Sequence, residues 1–160
     1  MPLKTSHKEN TKKMPSKLTV ERSVVFCSDL ETVNSVLLDT ANYPEFIQNI
    51  SAAEVISQNE NESEVSFKAK ISLFSFEYSI KTTRVSANLI TFEQQSGFFN
   101  FLSGEWRLTE NHSTVNGSYV VQVKLPRLVA GRIVRTAINL YFPSMLNDFK
   151  DEVERRFREC

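Results

Sequence analysis

After Pro126 the spacing of apolar residues changes. Val134, Ile138, Phe142, Met145, Phe149, Val153 and Phe157 recur every three or four residues, the period of an amphipathic helix. What precedes Pro126 is mostly alternating segments joined by short turns. Strands joined by short turns pair antiparallel, and a sheet with one apolar face must bury that face against another element. The run over 128–157 is the one stripe long enough to cover it. The pattern therefore predicts an α+β domain, a curved antiparallel sheet of about six to seven strands around a long C-terminal helix. Pro143 lies inside the run and should kink or split it. The piece before it carries arginines and apolar residues and suits a gate. The piece after it suits a plug for the sheet.

The strands can be placed individually. Leu18, Val20, Val24 and Phe26 alternate with polar residues around one polar break at Arg22. Ser28-Asp29-Leu30-Glu31 reads as a capping box, with Ser28 capping and Glu31 reaching back. Leu30, Val33 and Leu37 share a face of the short helix that follows. Pro44 in Asn42-Tyr43-Pro44-Glu45-Phe46 suits the first turn of a second short helix. A strand is expected over 50–58. The next, over 65–73, alternates most cleanly, with Val65, Phe67, Ala69, Ile71 and Leu73 separated by polar residues. A hairpin turning around Phe74 and Ser75 leads to strands over 76–85 and 89–94. Two more follow, over 100–108 and 119–125. The turn between these last two falls either at 111–113 or at Asn116-Gly117.

Composition narrows the function classes. A chain of 160 residues suits one domain with a real core. A net charge of zero argues against bulk nucleic-acid binding. Twelve Phe against four Gly point to a Phe-rich core or to an apolar pocket. Cys27 and Cys160 form no disulfide framework, and His7 and His112 lie far apart, so no metal site is expected. Residues 1–16 hold Lys4, Lys8, Lys12 and Lys13 against Glu9 and read as a disordered basic tail, leaving 17–160 as the domain. No apolar run is long enough to span a bilayer. A reducing, cytoplasmic setting is the expectation, with peripheral membrane contact an option. No nucleophile elbow, phosphate-binding loop or dinucleotide fingerprint occurs, so no catalytic residue and no cofactor is assigned.

Three motifs carry a family resemblance. They are Asn42-Tyr43-Pro44-Glu45-Phe46, then Thr82-Thr83-Arg84-Val85, then the stretch from Gly97-Phe98-Phe99 through Leu102-Ser103-Gly104-Glu105-Trp106-Arg107-Leu108. In this order and spacing the chain resembles the START-like, or helix-grip, superfamily. It looks like the polyketide cyclase/dehydrase and lipid transport group, in the branch of the coenzyme Q-binding proteins and the ribosome-association toxin relatives. One departure is Phe98, where the family pattern has Pro.

The resemblance implies a helix-grip fold with a cavity between sheet and C-terminal helix. Candidates for its lining from the strands are Phe67, Ile71, Phe76, Tyr78, Leu102 and Trp106. Tyr119 and Val121 join them from the last strand, and Ile138, Met145 and Phe149 from the helix. Tyr78, Trp106 and Tyr119 also offer hydrogen bonds to a ligand oxygen. Phe74, Phe98, Phe99, Phe101, Leu128 and Ile133 are candidates for the mouth. Arg127, Arg132 and Arg135 beside them are candidates for contact with a membrane or with rRNA. The expected function is non-enzymatic binding or transport of a hydrophobic small molecule, a quinone, isoprenoid or lipid. The alternatives are a ribosome-associated regulator and a polyketide cyclase or aromatase.

Overall fold

A computed structural model describes residues 17–129 and 131–159, except the side chains of 138 and 159. The tail over 1–16 lies outside the described residues.

The chain runs β1 (Leu18–Phe26), α1 (Leu30–Leu37), a 3-10 turn (Thr40–Asn42), α2 (Tyr43–Phe46) and β2 (Ile50–Gln58). Then come β3 (Glu62–Ile71), β4 (Phe74–Ser86), β5 (Leu89–Gly97), β6 (Phe101–Asn111) and β7 (Thr114–Lys124). The C-terminal part is α3 (Gly131–Thr136), a π-helical turn (Ala137–Tyr141) and α4 (Phe142–Glu159). All seven strands form one antiparallel sheet in the spatial order β1-β7-β6-β5-β4-β3-β2. Register shifts at Ile50/Ala52, Val55/Ser57, Ser79/Ile80 and Arg84/Ser86 are the irregularities that bend a sheet.

α4 lies in the concave face. Phe149 and Val153 are buried there, with Phe149 edge-on to both Trp106 (5.6 Å) and Tyr43 (5.3 Å). Tyr43 in turn stacks on Phe67. Polar contacts fix the helix axis. Asp148 Oδ2 accepts the Gln48 N–H (3.0 Å), and Lys150 Nζ donates to the Val25 carbonyl (2.7 Å). Glu154 Oε2 accepts the Cys27 N–H (2.8 Å), and Arg156 bridges Glu152 and Asp39 (2.7 and 2.8 Å).

Several expectations change in detail. The cap of α1 is Asp29, whose side chain accepts the Thr32 N–H (2.8 Å), so Ser28 is not the cap. The hairpin after β3 turns at Ser72-Leu73, because Phe74 already pairs with Ile71 and packs on Phe76 and Phe98. Ser72 takes the left-handed conformation (φ 57°) that a two-residue hairpin requires. The last hairpin turns at His112-Ser113, with His112 at φ 52° and Asn111 opposite Thr114. The C-terminal helix is divided, as Pro143 suggested, but by a wider turn in front of the proline. The Phe142 N–H reaches back to the Ala137 carbonyl, five residues away. Pro143 follows directly in a run that stays helical from Gly131 to Glu159, and the widened turn in front of it is the adjustment that accommodates its ring and missing donor.

Candidate functional site

Between the concave sheet and the divided helix lie two adjoining hollows, an outer one of about 160 Å³ and an inner one of about 90 Å³. Ile47, Ile50, Tyr78, Tyr119 and Met145 border both. They form one cavity with a waist.

The outer chamber lies under α3 and the π turn. Its walls are Ile71, Phe76 and Leu102 from the sheet, and Ile133, Val134 and Ala137 from the helix. Phe74, Phe98 and Phe99 close one side. Phe98 packs on Phe76 with ring centroids 4.7 Å apart, and Phe99 stands edge-on to Tyr78 at 5.2 Å. The loop holding these rings is pinned. Gln94 Nε2 donates to the Phe99 carbonyl (2.7 Å), and Gln94 Oε1 accepts the Phe99 N–H (3.0 Å). The Phe98 N–H donates to the Glu77 carbonyl (2.9 Å). Gly97 makes this path possible. Its φ is 121°, and a Cβ there would lie 2.4 Å from Tyr78 Cα. On the helix side, Tyr141 Oη accepts the Ser72 N–H (2.5 Å), joining the π turn to the hairpin tip.

The inner chamber runs toward the base of the sheet, between Phe67, Trp106 and Phe149, with Thr82 and Tyr43 in its wall. No charged side chain borders either chamber among the described residues. The polar groups are neutral. Tyr43 donates to the Leu37 carbonyl. The hydroxyls of Tyr78, Tyr119 and Thr82 and the Trp106 indole N–H make no hydrogen bond among the described residues. Asn34 Oδ1 is the one fully enclosed side-chain polar atom without a partner there. The residues that carry the other unpaired groups line the chambers. Burial pushes the Tyr78 phenol up to about 12. Burial, and then the nearby Tyr78, raise Tyr119 further. Both stay protonated at neutral pH, so they can donate a hydrogen bond but cannot act as bases.

Of the residues singled out in the sequence, the outer chamber collects Ile71, Phe76, Tyr78, Leu102, Tyr119 and Met145. Phe67, Trp106 and Phe149 line the inner one. Val121 is fully buried in core packing and borders neither chamber. The side chain of Ile138 lies outside the described residues. At the mouth, Phe74, Phe98, Phe99 and Ile133 border the outer chamber. Phe101 points outward beneath Lys17 Nζ, 4.3 Å from its ring centroid, and Leu128 is 98% exposed. Arg127, Arg132 and Arg135 are exposed. Arg84 is also on the surface, and Glu105 and Arg107 pair with each other. Sequence reasoning missed Ile47 and Ile50, which line the waist, and Tyr141. The first two sit where helix gives way to strand, and periodicity gives no signal across such a junction.

Larger hollows of about 410 and 520 Å³ occur elsewhere, but they are open surface grooves. One lies on the outer sheet face beside Lys81, Glu93 and Glu105, the other between α1 and Arg84. The first is mostly polar, and the second, though lined in part by Leu30, Leu38 and Ala87, is a shallow groove open to solvent. No group of three or more His, Cys, Asp or Glu able to hold a metal occurs among the described residues. No helix there is long and apolar enough to cross a membrane.

The model of one protein family, polyketide cyclase/dehydrase and lipid transport, matches residues 29–150. No curated protein matches in sequence. Among solved structures, the chain superposes on the Zhui aromatase/cyclase from Streptomyces with a TM-score of 0.77 at 17% identity, covering 88% of this chain and 95% of that one. It superposes on a START superfamily protein from Mycobacterium smegmatis with a TM-score of 0.69 at 16% identity, covering 88% and 97%. At such identities the likeness establishes the shared helix-grip fold.

Proposed function

Since the chain belongs to the polyketide cyclase/dehydrase and lipid transport family, we propose that it is a non-enzymatic carrier of a neutral, mostly apolar small molecule such as a quinone, isoprenoid or lipid. The observation that carries this reading is the cavity itself. It is apolar in its outer part and ends in unpaired, uncharged hydrogen-bonding groups at Tyr78, Tyr119, Thr82 and Trp106. Leaving polar groups without partners in a protein interior is unfavourable. A ligand oxygen at the waist would satisfy Tyr78 or Tyr119, and a polar group reaching the inner chamber could meet Thr82 or Trp106. The apolar body would be held at roughly 0.8 kcal/mol per buried CH₂.

Each chamber is smaller than the roughly 300–1,000 Å³ of a typical ligand site. A ligand of isoprenoid size therefore needs the outer wall to move, and the divided helix supplies the movable part. A cyclase reading has one specific observation behind it: the inner chamber holds polar groups, as a cyclase would require. Against it, no charged side chain is in reach, and the phenols are held protonated.

Trp106 is the single tryptophan of the chain and stands in the inner wall, so it reports on the cavity directly. Titration with farnesol, a neutral isoprenoid alcohol without near-ultraviolet absorption, should give a saturable change in Trp106 emission at one equivalent. An emission unmoved by farnesol, by longer prenyl alcohols and by fatty acids would refute the carrier reading. Conversion of a poly-β-carbonyl chain to a cyclised product would favour the cyclase instead.

A further inference from the structure

The chain is neutral overall, but its charge is unevenly distributed. The rim segments that border the outer chamber at its mouth, 68–76, 97–102 and 123–145, contain no Asp or Glu, and the acid next to them, exposed Glu77, lies opposite Lys68. They do contain Lys68, Lys70, Lys124, Arg127, Arg132 and Arg135. The three arginines are exposed, and none has an ion-pair partner among the described residues. The most exposed large apolar side chains among the described residues belong to the same rim. Leu128 is 98%, Leu73 91% and Leu140 64% exposed. Their positions converge. Leu73 follows Ser72, whose N–H is bonded to Tyr141, and Leu140 precedes Tyr141. Leu128 precedes Val129, which lines the chamber.

From this we infer that the cavity mouth is a docking face for an anionic lipid bilayer. The three leucines enter the headgroup boundary, and Arg127, Arg132 and Arg135 meet the lipid phosphates. Unpaired arginines bordering protruding apolar side chains match the two attractions an anionic interface offers. Leucines exposed this fully suit lipid better than the phosphate backbone of an RNA, which offers them nothing apolar. The face rests on the carrier reading only for its purpose, since docking there would open the cavity directly onto the lipid phase.

The test is co-sedimentation of the full chain with vesicles of phosphatidylcholine alone, and of phosphatidylcholine with 30% phosphatidylglycerol (on the order of the anionic content of natural membranes). Binding is expected to the anionic vesicles and to weaken with added salt. Each basic residue at an anionic surface strengthens binding about five-fold. Replacing all three arginines by Gln should therefore weaken binding by about a hundred-fold. Leu73→Asn with Leu128→Asn should weaken it about ten-fold or more. These side chains are exposed, so thermal melting should not change, which separates a docking defect from a folding one. Equal binding to both vesicles, or none to either, overturns the inference. So does co-sedimentation with ribosomes that the arginine variant abolishes while vesicles are ignored. Ala69 also borders the outer chamber, so Ala69→Leu, which fills it, should stop farnesol uptake and leave vesicle binding intact, and docking and cargo binding can fail independently.

Discussion

The tyrosine hydroxyls at the waist of the cavity are the residues that set its chemistry. Tyr78 and Tyr119 bond to nothing among the described residues, so replacing either with Phe removes an unsatisfied interior hydroxyl and should raise the stability of the ligand-free protein by about 1 kcal/mol. The same change should weaken a ligand with an oxygen at the waist about two- to ten-fold, the worth of one hydrogen bond. Calorimetric melting and farnesol titration of Tyr78→Phe and Tyr119→Phe check both halves. Both tyrosines were legible from strand parity in the sequence, because alternate residues share a face. Asp148 was not, since its meaning depends on a chain segment 100 residues away. Burial raises its carboxyl above the usual range, opposed by the Gln48 N–H and reinforced by Asp151. A raised folded-state carboxyl holds its proton more tightly than the unfolded chain does. The stability this contributes is full below the usual carboxylate range and is lost as pH rises through the folded value. Asp148→Asn keeps an acceptor for Gln48 and removes the charge. It should raise the melting temperature at pH 7, with the advantage fading as pH falls and the native carboxyl protonates.

Among the elements, the C-terminal helix both covers the sheet and forms the outer wall of the cavity. Its existence, its apolar stripe and its interruption were all legible, because a period of three to four residues sustained over thirty positions has few other readings. The π turn was not legible. Pro143 announces a break, but which carbonyls lose their partners depends on how α3 meets the hairpin tip through Tyr141 and Ser72. Tyr141→Phe removes that tie and should speed hydrogen exchange of the amides over 131–141 while leaving the exchange of α4 unchanged. The plug is held differently. Arg155 first, and then Arg156, hydrogen-bond Glu152 and hold its carboxyl below the usual range. A depressed carboxyl contributes stability that is present above the unfolded value and lost as pH falls through the folded one. Arg156→Gln should cost about 1 kcal/mol at neutral pH. Chemical denaturation should show that cost shrinking in acid, as Glu152 protonates.

At the scale of the molecule, an antiparallel sheet that curls about one helix cannot fill its own concavity unless facing side chains meet. Here they meet around Phe149 and Trp106 and draw apart under the π turn. Sequence pattern established the sheet, the covering helix and most of the residues between them. It could not decide between a solid core and a hollow one, because Val121, which packs, and Leu102, which lines the chamber, carry the same signature. Gly97 shows how much of the hollow hangs on backbone geometry. Gly97→Ala should destabilise the fold by about 1–3 kcal/mol and displace Phe98 and Phe99 from the chamber wall. The central claim is that this space holds an apolar guest. Native mass spectrometry of the protein after incubation with a total lipid extract tests it most directly. One equivalent of a neutral, mostly apolar species is expected on the native chain and none on Ala69→Leu. A folded native chain that emerges with no bound species would contradict it.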